Sequence, residues 1–305
     1  MDNVLSRSTA LTFGHSNQND AFQRGREAAQ MAKAQQPSSS LDLILALGPS
    51  SEHFQDFIEG VRLVTGEKGL IGFPSHHVFT NDLYLAEGGL VVLVRSDTLH
   101  FSIASSGLHG NAYNAAFSSL ASQYRNQRGN IFHQYEFQGT LIVDNSHSAD
   151  NKQLIAHASV ESGLDSWVVG ITPPSHPALP LFCNDQVIQK GLVGIECLSM
   201  SPIGIGTVTI EAFNRNPAIF KEAVKSAFRE AQSQMDSPPA AGFLFIDFPI
   251  ESKSIQDMQT LFHLEDSNLR NCPLIGYTTN NHSVKYINRS GSALKETIVA
   301  LLLPL

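Results

Sequence analysis

Three times in this chain an apolar run meets a glycine, then a turn-forming residue, then a histidine. The copies are Leu70-Ile71-Gly72-Phe73-Pro74-Ser75-His76-His77, Val168-Val169-Gly170-Ile171-Thr172-Pro173-Pro174-Ser175-His176 and Leu274-Ile275-Gly276-Tyr277-Thr278-Thr279-Asn280-Asn281-His282. Each glycine follows an earlier apolar run at nearly constant distance. Asp42 to Gly72 is 30 positions, Gly139 to Gly170 is 31 and Gly242 to Gly276 is 34. A further apolar run follows each glycine, at Leu90–Val94, Leu192–Ile195 and Ile298–Leu302. Landmarks held in step predict one structural unit used three times, and self-similarity of this length bounds the fold before any single motif does.

The segments between the landmarks carry helical spacing. Ala21, Phe22, Gly25, Ala28, Ala29 and Ala32 share one face at the 3.6 period; so do Tyr113, Ala116, Phe117, Leu120 and Tyr124, and so do Phe220, Ala223, Val224, Ala227 and Ala231. A shorter second helix is predicted in each unit, near Glu52–Val64, Asn151–Ser162 and Ile255–Glu265. A short leading strand is predicted at Thr9–Phe13, Phe101–Ala104 and Thr207–Ala212. The expected fold is therefore α/β: three tandem βαβαββ-like repeats, in mixed sheets with helices packed on them. The repeats fall at about 8–107, 108–212 and 213–305, with the first two grouped as a region 1–212 and the third as a region 213–305. The glycines are expected at strand-end turns, where backbone freedom is needed.

Composition excludes several partners. The net charge of -8 opposes nucleic-acid binding, which requires a basic footprint to neutralise phosphates. No apolar run approaches the roughly 20 residues of a membrane-spanning helix, and Met1–Ser8 has no apolar core of the kind a signal peptide needs. The three cysteines, Cys183, Cys197 and Cys272, match neither a disulfide framework nor zinc spacing. A reducing, cytoplasmic setting is the expectation.

The candidate binding residues sit on the three recurring loops: Ser75, His76, His77, Thr172, His176, Thr278 and His282. Together they would offer hydroxyls, imidazoles and backbone amides beyond the ends of parallel strands, where crevices form in α/β sheets. That chemistry suits a small polar or anionic ligand. No metal site is expected, because HExxH, CxxC and CxxCH are all absent. Asp144 and Asp247 end equivalent strands, where turn or cap roles are expected. Ser75 beside His76 resembles a nucleophile–base pair, but sequence neighbours seldom reach triad geometry, and no GxSxG elbow is present. The chain is therefore expected not to be an enzyme; a hydrolase using Ser75 or Cys183 is the alternative.

Several stretches resemble the FIST family (F-box and intracellular signal transduction). They are the alanine-rich Ala21–Ala32, Leu43–Leu47, Leu70-Ile71-Gly72, the run Ser201-Pro202-Ile203-Gly204-Ile205-Gly206-Thr207-Val208-Thr209, Ala240–Phe245 and Leu274–Thr278. The resemblance implies N- and C-terminal FIST regions across most of 8–305. It also implies an intracellular sensory domain for a small ligand such as an amino acid. The alternatives it carries are a module acting on a signalling partner in trans, and a haem-binding gas sensor. No other cofactor is expected. The chain departs from the family at the loops: Phe73–His77 replaces the usual Gly-Cys-Ser/Thr turn and Gly-Glu, and Asp247-Phe248-Pro249-Ile250 replaces a Cys-x-Gly-Arg run.

Overall fold

The computed structural model describes residues 9–36, 40–75, 77–108, 113–145, 167–171, 179–209, 217–246, 269, 272–278, 284–287, 293–296 and 298–304. The first stretch of chain runs β1 (Thr9–His15), α1 (Ala21–Gln35), β2 (Leu43–Pro49), α2 (Phe54–Thr65), β3 (Leu70–Ser75), a hairpin β4 (His77–Thr80) and β5 (Tyr84–Leu85), then β6 (Leu90–Ser96). The second runs β7 (Leu99–Gly107), α3 (Tyr113–Arg128), β8 (Phe137–Asp144), β9 (Trp167–Ile171), a hairpin β10 (Leu181–Cys183) and β11 (Gln186–Ile188), then β12 (Gly191–Ser199). The third runs β13 (Gly204–Val208), α4 (Pro217–Gln232), β14 (Pro239–Ile246), β15 (Leu274–Thr278), a hairpin β16 (Val284–Ile287) and β17 (Ala293–Glu296), then β18 (Ile298–Pro304). The helices expected over 151–162 and 255–265 lie outside the described residues.

These strands form three mixed sheets with corresponding orders. They are β1-β6-β2-β3-β10-β11, β7-β12-β8-β9-β16-β17 and β13-β18-β14-β15-β4-β5. In each, one parallel pair lies at the centre (β2/β3, β8/β9 or β14/β15) and every other ladder is antiparallel. No sheet is built from one stretch of chain. Each hairpin leaves its own sheet and joins another: β4–β5 pairs with β15, β10–β11 with β3 and β16–β17 with β9. The exchange closes a ring and links residues on both sides of position 212. The expected βαβαββ order thus lacked two short strands. Their partners lie in a different stretch of chain, so no local periodicity marks them.

Uninterrupted apolar strands follow from burial on both faces. Leu43, Leu45 and Leu47 of β2, Leu90, Val92 and Val94 of β6, Val143 of β8, Val169 and Ile171 of β9, Phe245 of β14 and Tyr277 of β15 all join one inner core shared by the three sheets. The alternate residues face outward to helices. Ile44, Ala46, Val91 and Leu93 meet α1 and α2, Ile142 and Leu192 meet α3, and Leu244, Ala300 and Leu302 meet α4. Among the described residues, four helices therefore jacket the outside of the sheets.

The recurring glycines are not turn residues. Gly72, Gly170 and Gly276 lie inside β3, β9 and β15, and two of them are contact points. A Cβ on Gly72 would stand 2.4 Å from Ile58 Cδ1, and one on Gly276 would stand 1.6 Å from Phe79 Cε2. Close approach, not positive φ, requires glycine there. The same reason holds for Gly206, where a Cβ would lie 1.7 Å from the Ala227 carbonyl oxygen of α4. Gly204–Val208 is accordingly a strand pressed on a helix, beginning three residues before the expected Thr207.

Candidate functional site

The carboxyl ends of β3 and β15 meet. The Phe73 and Tyr277 rings pack edge to face with centroids 5.5 Å apart, and the Tyr277 hydroxyl donates to the Pro74 carbonyl at 3.3 Å. Burial pushes the Tyr277 phenol well above its ordinary pKa, so it remains a donor at neutral pH. Between Ser75 and His77 the chain crosses from the first sheet to the third, where His77 stands opposite Thr278 in the β4/β15 ladder. Three of the expected binding residues, Ser75, His77 and Thr278, are thus brought to one junction. His76, Thr172, His176 and His282 lie outside the described residues.

The three have different surroundings. Ser75 is fully buried, and its hydroxyl donates to the Gly48 carbonyl at 3.2 Å, tying the end of β3 to β2. That bond uses its proton within the backbone, not on a base. His77 is half-buried. Its Nδ1 lies 2.6 Å from the Tyr84 hydroxyl, and the two rings stack at 5.7 Å. Burial raises the Tyr84 pKa; when its O–H is donated to Nδ1, His77 carries its ring proton on Nε2. Thr278 is fully buried, and its Oγ1 has no hydrogen-bond partner; Thr80 Oγ1, on β4, is in the same condition. Buried hydroxyls are nearly always bonded, so an unpaired one at the end of a ladder is an unusual expense of stability.

Strand alternation separates the faces. Tyr277 shares the inner core with Ile275, whereas Leu274 joins the outer cluster beneath α4 with Phe79 and Tyr84. Thr278, two residues beyond Gly276, lies on that outer face with His77. The junction therefore offers an imidazole and a hydroxyl side by side at the end of a parallel pair, with Tyr84 orienting the imidazole. Tyr84 and Tyr277 were not among the residues expected from sequence. Tyr277 sits inside the third recurring pattern, so position alone could have nominated it. Tyr84 sits in a two-residue strand with no signal of its own.

Among the described residues no group of three or more His, Cys, Asp or Glu side chains is placed to hold a metal ion. Asp144 is buried and accepts a hydrogen bond from the Tyr113 hydroxyl at 3.1 Å. Burial pushes the Cys183 thiol up to about 11, so it holds little thiolate at neutral pH. No helix among the described residues is long and apolar enough to cross a membrane.

No protein-family model matches the chain, and no curated protein matches it. Solved structures do. A chorismatase is similar with a TM-score of 0.47 and 8% identity over 97% of this chain and 98% of its own. A cyanuric acid hydrolase from A. caulinodans is similar with a TM-score of 0.46 and 9% identity over 98% of this chain and 99% of its own. Both are enzymes by name. This overturns the expectation that the chain is not an enzyme, and that expectation is withdrawn. Neither similarity transfers a reaction, a substrate or a residue role to this chain.

Proposed function

We propose that this protein binds a small polar or anionic ligand where β3 and β15 end, with Thr278 and His77 as its contacts on the third sheet. The observation that carries the reading is the buried, unpaired Thr278 hydroxyl across the ladder from a half-buried imidazole. A ligand oxygen or amine reaching Thr278 would restore the missing hydrogen bond, a gain of about 1 kcal/mol or more where the group is desolvated. The His77 imidazole, held by Tyr84, lies across the ladder as the second polar group of the junction. The closure of three sheets around one core supports a rigid frame for these groups, which lowers the ordering cost of binding. Their place beyond a parallel pair fits the general position of α/β ligand crevices.

The resemblance to FIST proteins supports the finer part of the reading, a cytoplasmic sensory role in which ligand occupancy is passed to a partner protein. Thermal-shift and calorimetric screening of small organic acids and amino acids tests the ligand. The reading expects at least one saturable hit whose affinity falls in Thr278→Val. Absence of any hit whose affinity falls in Thr278→Val would remove it.

A further inference from the structure

We propose a second ligand site in the cleft beneath α3, for a short hydroxy acid whose hydroxyl group seats between Tyr124 and Glu196. The cleft holds about 30 Å³ between α3 and the outer face of the second sheet. Glu196 reaches it from β12, Gln138 and Thr140 from β8, and Tyr124, Arg125 and Arg128 from α3. The Glu196 side chain is 3% exposed and paired with Arg128 at 2.9 Å. Its Oε1 accepts from both Arg128 and Gln138, the latter at 2.8 Å, while Oε2 has no partner. The Tyr124 hydroxyl is also buried and also unpaired. It is admitted by Gly194, where a Cβ would stand 2.0 Å from it. The Arg128 guanidinium is further held over the Phe132 ring at 4.3 Å.

Two unsatisfied polar atoms therefore belong to side chains that line one small space, and they do not bond each other. A single oxygen bearing one proton completes both, accepting from the Tyr124 hydroxyl and donating to Glu196 Oε2. Charge decides what the rest of the ligand carries. Arg128 already neutralises Glu196, and exposed Arg125 at the mouth adds a positive charge. A cation is disfavoured there, and a carboxylate is favoured at Arg125. The volume admits one hydroxyl-bearing carbon and not a ring. A hydroxyl inside with a carboxylate one carbon away at the mouth describes an α-hydroxy acid.

The test is calorimetry of the full chain with glycolate, with acetate as the probe lacking the hydroxyl. We expect saturable glycolate binding, at least tenfold weaker binding of acetate, and roughly tenfold losses of glycolate affinity in Tyr124→Phe and in Arg125→Ala. Tyr124→Phe deletes only an unpaired hydroxyl, so its folding is checked by its thermal midpoint, which should not fall. The proposal is overturned by absent glycolate binding, by acetate binding equally well, or by glycolate binding that Tyr124→Phe leaves unaffected. It is equally overturned by a crystal grown with glycolate that shows only water between Tyr124 and Glu196.

Discussion

Phe79, on the exchanged strand β4, covers Gly276 of β15, leaving 1.6 Å between its Cε2 and the place a Cβ would occupy. The ring fills the space that every other residue would need, so the hairpin from the first stretch of chain is keyed to a glycine in the third. Gly276→Ala would force this ring off its seat. We predict a loss of about 1–3 kcal/mol, the usual range for overpacking a filled core, read as a lower denaturant midpoint at unchanged slope.

Two hairpin turns are fastened by asparagines. Asn81 Nδ2 donates to the Cys272 carbonyl at 3.0 Å and its Oδ1 accepts from Leu274 N–H at 2.6 Å, at the start of β15. Asn184, at φ 53, accepts from Gly69 N–H at 2.9 Å and donates its own N–H to the Leu70 carbonyl, at the start of β3. The side chain of Asn81 thus holds one sheet to a hairpin from elsewhere in the chain. Asn81→Ala is expected to cost about 1–3 kcal/mol, because it strands backbone groups as well as deleting bonds. Equilibrium unfolding checks it.

The leading strand of each sheet is an edge, and side chains from the following helix, or from the turn just after it, occupy its free amides. Gln127 Nε2 donates to the Ile103 carbonyl at 2.5 Å and its Oε1 accepts from Ile103 N–H at 3.0 Å. Gln123 does the same for Ser105, and Gln234 for Ile205. Gln35 donates to the Phe13 carbonyl. An amide at this position imitates a neighbouring strand, and covered edges resist pairing with other chains. The double substitution Gln123→Ala with Gln127→Ala should lower stability by about 1–3 kcal/mol and introduce concentration-dependent association, measured by sedimentation velocity.

Thiol chemistry should report folding. Burial raises Cys183 from 9.0 to about 11 and Cys272 from 9.0 to about 12, and it raises Cys197 further still. At pH 8 only about one Cys183 in a thousand would be thiolate, so native protein should label slowly with iodoacetamide and unfolded protein quickly. The sign for stability follows. Above pH 9 the unfolded thiols ionise while the folded ones stay protonated, so the unfolded state binds fewer protons. Stability is full below pH 9 and declines as pH rises towards 11 and 12. Denaturation midpoints at pH 8 and pH 10.5 should show the fall.

Local periodicity made the helices legible. Ala21, Gly25, Ala28, Ala29 and Ala32 are the buried face of α1, and Tyr113, Ala116, Phe117, Leu120 and Tyr124 that of α3. The central strands were legible because burial on both faces leaves an unbroken apolar run. The hairpins were not. Tyr84-Leu85 and Gln186–Ile188 are too short to show alternation, and their partners are remote. The role of the glycines was misjudged for a related reason: a glycine beneath Phe79 and a glycine in a turn look alike until the neighbour is known. At the candidate site the recurring pattern nominated Ser75, His77 and Thr278, which the structure brings to one junction. It could not show that Ser75 is tied to Gly48, that Tyr84 orients His77, or that Thr278 alone of the three holds an unsatisfied hydroxyl.

The most direct test of ligand binding at the strand ends uses Thr278→Val, which keeps the shape of the side chain and deletes its hydroxyl. Because that hydroxyl is buried and unpaired, the ligand-free variant should be as stable as the parent or more so, by roughly 1–3 kcal/mol. Calorimetric titration of parent and variant with the same organic acids and amino acids then decides. The account predicts a ligand for the parent whose affinity drops about tenfold in the variant, a loss of about 1.4 kcal/mol. A variant that is destabilised and binds every compound as the parent does would contradict it.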